Sequence, residues 1–216
     1  MNRFLPALLI CALVGTTARA EVQRYDLMLG KRQLGTFSFD TSTRYLVAEL
    51  DNTPLGVADG HFSAQSRAAR TTEGIAVTQY LSQGVKRHIS VVLDGGKVLA
   101  TTITPSREAT SLSEPEAVPI GIIPLTEGFA TIATAGSCPS PFIAYDGRRV
   151  VQIATRAQSV DGPETLCDMD YRVTAGPGHL SPFRFRTLDM ALLYRDGALG
   201  KITVSAGGFE VRMVRQ

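Results

Sequence analysis

Between Val22 and Thr104 the chain alternates apolar and polar residues with a period of two. Tyr25, Leu27 and Leu29 interleave with Arg24, Asp26 and Met28; Gly35, Phe37 and Phe39 follow, then Tyr45 and Val47, then Ile75, Val77 and Leu81, then Ile89, Val91 and Leu93. Successive side chains of a strand point to opposite faces, so this pattern turns one face to a core and the other to water. It predicts a series of strands. The punctuation predicts how they are joined: Asp94-Gly95-Gly96, Asp146-Gly147, Asp196-Gly197 and Gly207-Gly208 supply residues that accept the left-handed backbone of a tight hairpin. Neighbouring strands are therefore expected to be antiparallel.

Two stretches break the alternation. Residues 49–61 hold Leu50-Asp51-Asn52-Thr53-Pro54 and predict an irregular segment with room for one helical turn. Pro105 to Pro124 carries four prolines among Ser, Thr and Glu, and reads as an extended connection over the surface. After it, Leu125, Phe129 and Ile132 stand at helical spacing and Gly136 offers a stop, which predicts one short helix over 125–135 packed on a sheet. Strands are then expected at Phe142–Tyr145, Arg149–Thr155, Asp170–Thr174, Phe183–Tyr194, Gly200–Ser205 and Phe209–Val214. A total of about ten to twelve strands is more than a flat open sheet holds comfortably. The expected architecture is all-β and mainly antiparallel: a curved sheet, half-barrel or barrel with one short helix, formed as a single domain by residues 21–216.

Residues 1–20 have a different character. Arg3 precedes an apolar run from Phe4 to Val14, and small residues lead to Ala18-Arg19-Ala20. This is the layout of a secretory signal peptide with cleavage between Ala20 and Glu21, and the run is too short to span a bilayer. Cys11 raises a lipoprotein signal as a rival, but the bulky Ile10 stands where a small residue is needed. Cleavage changes the charge balance. The chain has 22 Lys and Arg against 20 Asp and Glu, and 22 less Arg3 and Arg19 is 20. A neutral mature chain does not favour nucleic acid as a partner, and no later apolar run has the length of a transmembrane helix. The expected location is the periplasm.

The candidate chemistry is sparse. Cys138 and Cys167 are the only cysteines left after cleavage. They are too far apart for the close ligand pairs of a zinc site, and neither has a histidine nearby in sequence to activate a thiolate. An oxidising compartment and a chain that turns back at Asp146-Gly147 favour a disulfide between them. His61 and His88 occupy alternating strand positions and His179 follows Gly176-Pro177-Gly178, with no spacing that supplies a general base with a partner. Arg148, Arg149, Arg156, Arg172, Arg184 and Arg186 cluster in the second half and would bind a carboxylate or phosphate if they shared a face; a solvated face is the plainer expectation. Asp168 and Asp170 share a face at period two but read as edge residues. No metalloprotease, nucleophile-elbow or phosphate-loop motif is present.

Tyr25-Asp26-Leu27-Met28-Leu29-Gly30 with Leu34-Gly35, the proline-containing connection and short helix, a cysteine ahead of Tyr145-Asp146-Gly147-Arg148-Arg149, and a second cysteine leading into Tyr171-Arg172-Val173 and Gly176 give the chain a familiar order. It resembles the exported bacterial proteins grouped as domain of unknown function 3108, over about residues 25–214. The resemblance implies a periplasmic, largely antiparallel β domain and carries no catalytic residue, cofactor or metal ligand. Such curved sheets are also similar to the half-barrels of periplasmic lipoprotein carriers, which cradle acyl chains. The function expected is a non-enzymatic binding or envelope-associated module that accepts a lipid, another apolar ligand or an envelope protein. The alternatives are a hydrolase with an unrecognised site and a structural assembly partner.

Overall fold

A computed structural model describes residues 21–53, 59–179 and 184–216. The expected leader lies outside them, as do residues 54–58 of the irregular segment and Phe183 of one predicted strand. Among the described residues, fourteen strands form one sheet. In chain order they are β1 (Val22–Leu29), β2 (Arg32–Asp40), β3 (Tyr45–Leu50), β4 (Gly60–Arg70), β5 (Ala76–Gly84), β6 (Arg87–Asp94), β7 (Lys97–Thr104), β8 (Ile123–Pro124), β9 (Phe142–Tyr145), β10 (Val150–Asp161), β11 (Glu164–Ala175), β12 (Thr187–Arg195), β13 (Ala198–Ala206) and β14 (Phe209–Arg215). The sheet runs β7-β6-β5-β4-β3-β2-β1-β14-β13-β12-β11-β10-β9-β8, and β1 pairs with β14, so the two halves of the chain join at its middle. The count exceeds the expected ten to twelve. Every pairing is antiparallel except β8 with β9, which is parallel because the helix crosses over between them.

The four Gly-containing turns lie where hairpins were expected, and at Asp196-Gly197 and Gly207-Gly208 both residues take positive φ. The sheet curls, but its ends do not pair. Strands β7 and β8 terminate the order, and the chain between them, residues 105–122, covers the seam. This corrects the expectation of an extended surface connection. The segment forms three 3-10 turns, at Ser106–Glu108, Ser111–Ser113 and Pro115–Ala117, and buries Leu112, Val118 and Ile122. Its apolar residues show no sustained period among Ser, Glu and Pro, yet these three reach the core while Ile120 stays 75% exposed. The buried Tyr145 hydroxyl donates to the Leu112 carbonyl, fixing the strap to β9.

Inside the curl sits α1 (Leu125–Thr134), with Gly136 at φ +71 just beyond its end. Phe129 reaches the rings of Phe37 (4.7 Å) and Phe39 (4.9 Å). The Ser66 and Thr126 hydroxyls bond in the buried contact between β4 and the helix, and the Tyr194 hydroxyl donates to the Ile132 carbonyl at 2.7 Å. Strand β4 presents Ala64 and Ser66 inward because the helix leaves no space for larger side chains there.

Cys138 and Cys167 form a disulfide, with Cα atoms 5.4 Å apart. β9 and β11 flank β10 on opposite sides. The bond therefore ties the chain between α1 and β9 across β10, and it ends on a wholly buried Cys167.

Candidate functional site

A cavity of about 580 Å³ runs from the inner face of the curl out to the exposed Asp59, Val85 and Lys86, within the usual size range for small-molecule sites. Its walls come from β3 to β6, the start of α1, the turn between β9 and β10, and His179. Ala48, Leu50, Phe62, Tyr80, Ile89 and Leu125 make the apolar part. Lys86, Arg87, Arg148, Arg149, Asp59 and Asp146 make the charged part, with His61 and His179.

The turn Asp146-Gly147-Arg148-Arg149 is the organising element. Asp146 Oδ1 accepts the backbone N–H groups of Arg148 and Arg149, both at 2.9 Å, which closes an Asx turn. Gly147 has φ +94, and a Cβ there would stand 2.3 Å from Ile89 Cγ2, so only glycine lets this turn rest against the inner face of β6. From behind, Gly176 packs on the Arg148 carbonyl so closely that its own Cβ would stand 2.3 Å away. The turn thus holds two arginines at fixed positions beside the cavity.

Both are largely withdrawn from water, at 14% and 11% side-chain exposure. Arg148 Nε donates to the Glu108 carbonyl at 2.8 Å, and its terminal nitrogen lies 3.5 Å from the Glu108 carboxylate. Arg87 reaches the same carboxylate at 3.0 Å, while its Nε is buried without a hydrogen bond. Burial first, and then the charge of Arg87, push the Arg148 guanidinium below its ordinary pKa. Arg149 Nε lies 2.9 Å from Asp146 Oδ2, an ion contact too bent to count as a hydrogen bond. These positions correct the expectation of a solvated arginine face for Arg148 and Arg149. It holds for Arg156, Arg172, Arg184 and Arg186, which are exposed.

His179 is fixed from both sides. Arg149 Nη1 stands 2.6 Å from its Nδ1, and its Nε2 meets the Tyr171 hydroxyl. A guanidinium only donates, so Nδ1 accepts, the proton sits on Nε2, and Nε2–H donates to the tyrosine oxygen. Burial and the Arg149 charge lower the imidazole to about 3. His61 also lines the cavity; its Nδ1 is 3.7 Å from Glu49 Oε1, a pair exposed to water. His88 stands opposite Gln83 and Thr104 on the outer face of the sheet. His61 and His179 therefore share the cavity and His88 does not, and the described partners of His179 include no carboxylate.

Tyr80 differs from the other buried tyrosines. Tyr25 donates to Gln23 at 2.7 Å, and Tyr145 and Tyr194 donate to backbone carbonyls. Tyr80 is 1% exposed and lines the cavity, with Ser82 near its hydroxyl but no hydrogen bond of normal geometry. Alternation through Val77 and Leu81 would turn Leu81 inward. Instead Leu81 sits on the outer face beside Gln65 and Ser90, and Tyr80 and Ser82 are buried.

Of the expected site residues, Cys138 and Cys167 are joined away from the cavity, and Glu21 begins the described chain with its carbonyl accepting Thr41 N–H at 3.3 Å. Ala20 lies outside the described residues. No group of three or more metal-ligating side chains converges among the described residues, and no described helix is long and apolar enough to cross a membrane.

Comparison with protein-family models and with curated proteins finds no match. Among solved structures, the chain is similar to a β-barrel-like protein of domain of unknown function DUF1849 from Brucella abortus, at 13% identity and a TM-score of 0.46. The similarity covers 90% of this chain and 95% of that one.

Proposed function

We propose that the protein is a non-enzymatic binding module that takes a small molecule with an apolar body into the cavity of the curled sheet. The observation that carries this reading is the cavity of about 580 Å³ walled by Leu50, Phe62, Ile89 and Leu125, which opens to water past the exposed Asp59, Val85 and Lys86. Apolar walls that stay in contact with water are covered favourably by the apolar part of a ligand. The disulfide supports an oxidising compartment, consistent with export to the periplasm and with the resemblance to domain of unknown function 3108. His179 argues against the hydrolase alternative, because Arg149 occupies its Nδ1 and Tyr171 its Nε2, which leaves no ring nitrogen to take a substrate proton.

Native mass spectrometry of protein purified gently from periplasm tests the proposal. A co-purified adduct of lipid or other apolar mass, lost on denaturation, is the expected result. Uniformly ligand-free protein that also fails to take up added acyl compounds overturns it.

A further inference from the structure

We infer that the ligand of this cavity is amphipathic and carries one anionic group, a carboxylate or a phosphate, which seats against Arg87 and Arg148. The inference rests on the binding reading above and specifies its substrate class. The charges around the cavity do not cancel. Lys86, Arg87, Arg148 and Arg149 are four cations, and Asp59, Asp146 and the bridging Glu108 are three carboxylates, so four less three leaves one positive charge in excess.

The carboxylates are also the better satisfied side. Asp59 accepts Thr53 N–H at 2.8 Å, and Asp146 is held by the turn it closes. Glu108 is shared between Arg87 and Arg148, one carboxylate serving two guanidiniums. Donors remain in surplus: Arg87 Nε and the Tyr80 hydroxyl are both buried without a hydrogen bond. Neither atom is open to the cavity, so the exposed part of Arg87, 29% of its side chain, is what remains for a bound acceptor. A guanidinium edge matches the two oxygens of a carboxylate or phosphate, which a hydroxyl or an amide does not.

The first turn of α1 adds to the same sign. Leu125 lines the cavity, and the helix begins with no side-chain cap; the one acid of its first turn, Glu127, is paired with Arg44. The positive end of the helix dipole therefore lies at the cavity wall. Apolar walls next to this corner leave the rest of the ligand in contact with Leu50, Phe62 and Ile89. The shared chemistry is one anionic head on an apolar chain, whether a free fatty acid or a phosphate ester supplies it.

The test compares decanoate, decyl phosphate, decanol and inorganic phosphate as ligands of the intact protein by calorimetry, with Arg87→Gln, Arg148→Gln and the charge-conserving Arg87→Lys. Circular dichroism checks that each variant is folded. Both anionic amphiphiles should bind at least about tenfold tighter than decanol, as a charge-assisted hydrogen bond predicts. Arg87→Gln should bring that ratio below about threefold and Arg87→Lys should keep most of it. The relative tightness of decanoate and decyl phosphate shows which head is preferred. Equal affinity for decanol and decanoate overturns the anionic head and leaves the cavity reading standing. So does a tenfold preference that survives both glutamine variants, since the head then sits elsewhere. Inorganic phosphate binding as tightly as decyl phosphate overturns the amphipathic ligand in favour of a free anion. If none of the four binds, the cavity reading fails and the inference with it.

Discussion

Arg149 points one guanidinium nitrogen at His179 Nδ1, 2.6 Å away, and so fixes which nitrogen of the imidazole carries the proton. A cation on one side and burial on the other keep that ring neutral in the folded state, with its pKa lowered to about 3.

This has a pH consequence with a definite sign. The unfolded histidine titrates near 6.5, as an unperturbed imidazole does. Above that pH neither state binds the proton. Below it the unfolded chain does and the folded one does not, so stability is lost as pH falls from about 6.5 towards 3. The loss from this one group has a limiting slope of about 1.4 kcal/mol per pH unit. Urea unfolding at pH 7 and pH 5 should show a larger drop for wild type than for His179→Gln; equal drops would mean the ring is protonated in the fold.

Gly147→Ala should destabilise the protein by about 2 kcal/mol or more, through its left-handed backbone and a Cβ driven into Ile89. The same change displaces Arg148 and Arg149, so ligand affinity should fall with stability. Gly162→Ala is the control: it also has positive φ, at +55, but open space around it, and it should cost less and leave binding intact.

Reducing the Cys138–Cys167 bond, or replacing both residues by serine, should lower stability by about 3 to 4 kcal/mol in the chain-entropy treatment of a loop with a sequence separation of 29. Denaturant midpoints with and without reductant measure this. An unchanged midpoint would mean the bond contributes nothing beyond the fold it joins.

Tyr80→Phe and Tyr194→Phe should move in different directions. Tyr194 loses a hydrogen bond to the Ile132 carbonyl, and about 1 kcal/mol of stability with it. Tyr80 gives up a buried hydroxyl that has no partner, so its replacement should leave stability unchanged or raise it. Thermal unfolding of the two variants side by side decides the matter, and equal losses would mean that the Tyr80 hydroxyl is bonded.

Much of the fold was legible because it depends on local rules. Period two marked β1 and β2, glycine pairs marked the hairpins, and the spacing of Leu125, Phe129 and Ile132 marked α1. β4 was fainter: its inward positions include Ala64 and Ser66, kept small by a helix that lies about sixty residues further along the chain. The strap of residues 105–122 reads in sequence as a surface connection because Leu112, Val118 and Ile122 make no sustained pattern until a seam exists for them to cover. The cavity was least legible of all. Leu81 is the apolar residue that alternation would turn inward, and the structure turns Tyr80 there instead. Arg87, Glu108 and Arg148 come from three distant segments, and only the curl of the sheet brings them to one carboxylate. The Asp-Gly-Arg-Arg stretch stood out in the sequence, but its role as the frame of a site follows from contacts with Ile89 and Gly176 that no local pattern encodes.

Entry of an apolar chain into the curl is read most directly by methyl NMR with decanoate. The methyls of Leu50, Ile89 and Leu125, which line the cavity, should shift on titration, while those of Leu199 and Ile202, buried on β13, should stay in place. Shifts confined to exposed methyls such as Val160, or no shift at saturating ligand, would contradict the account.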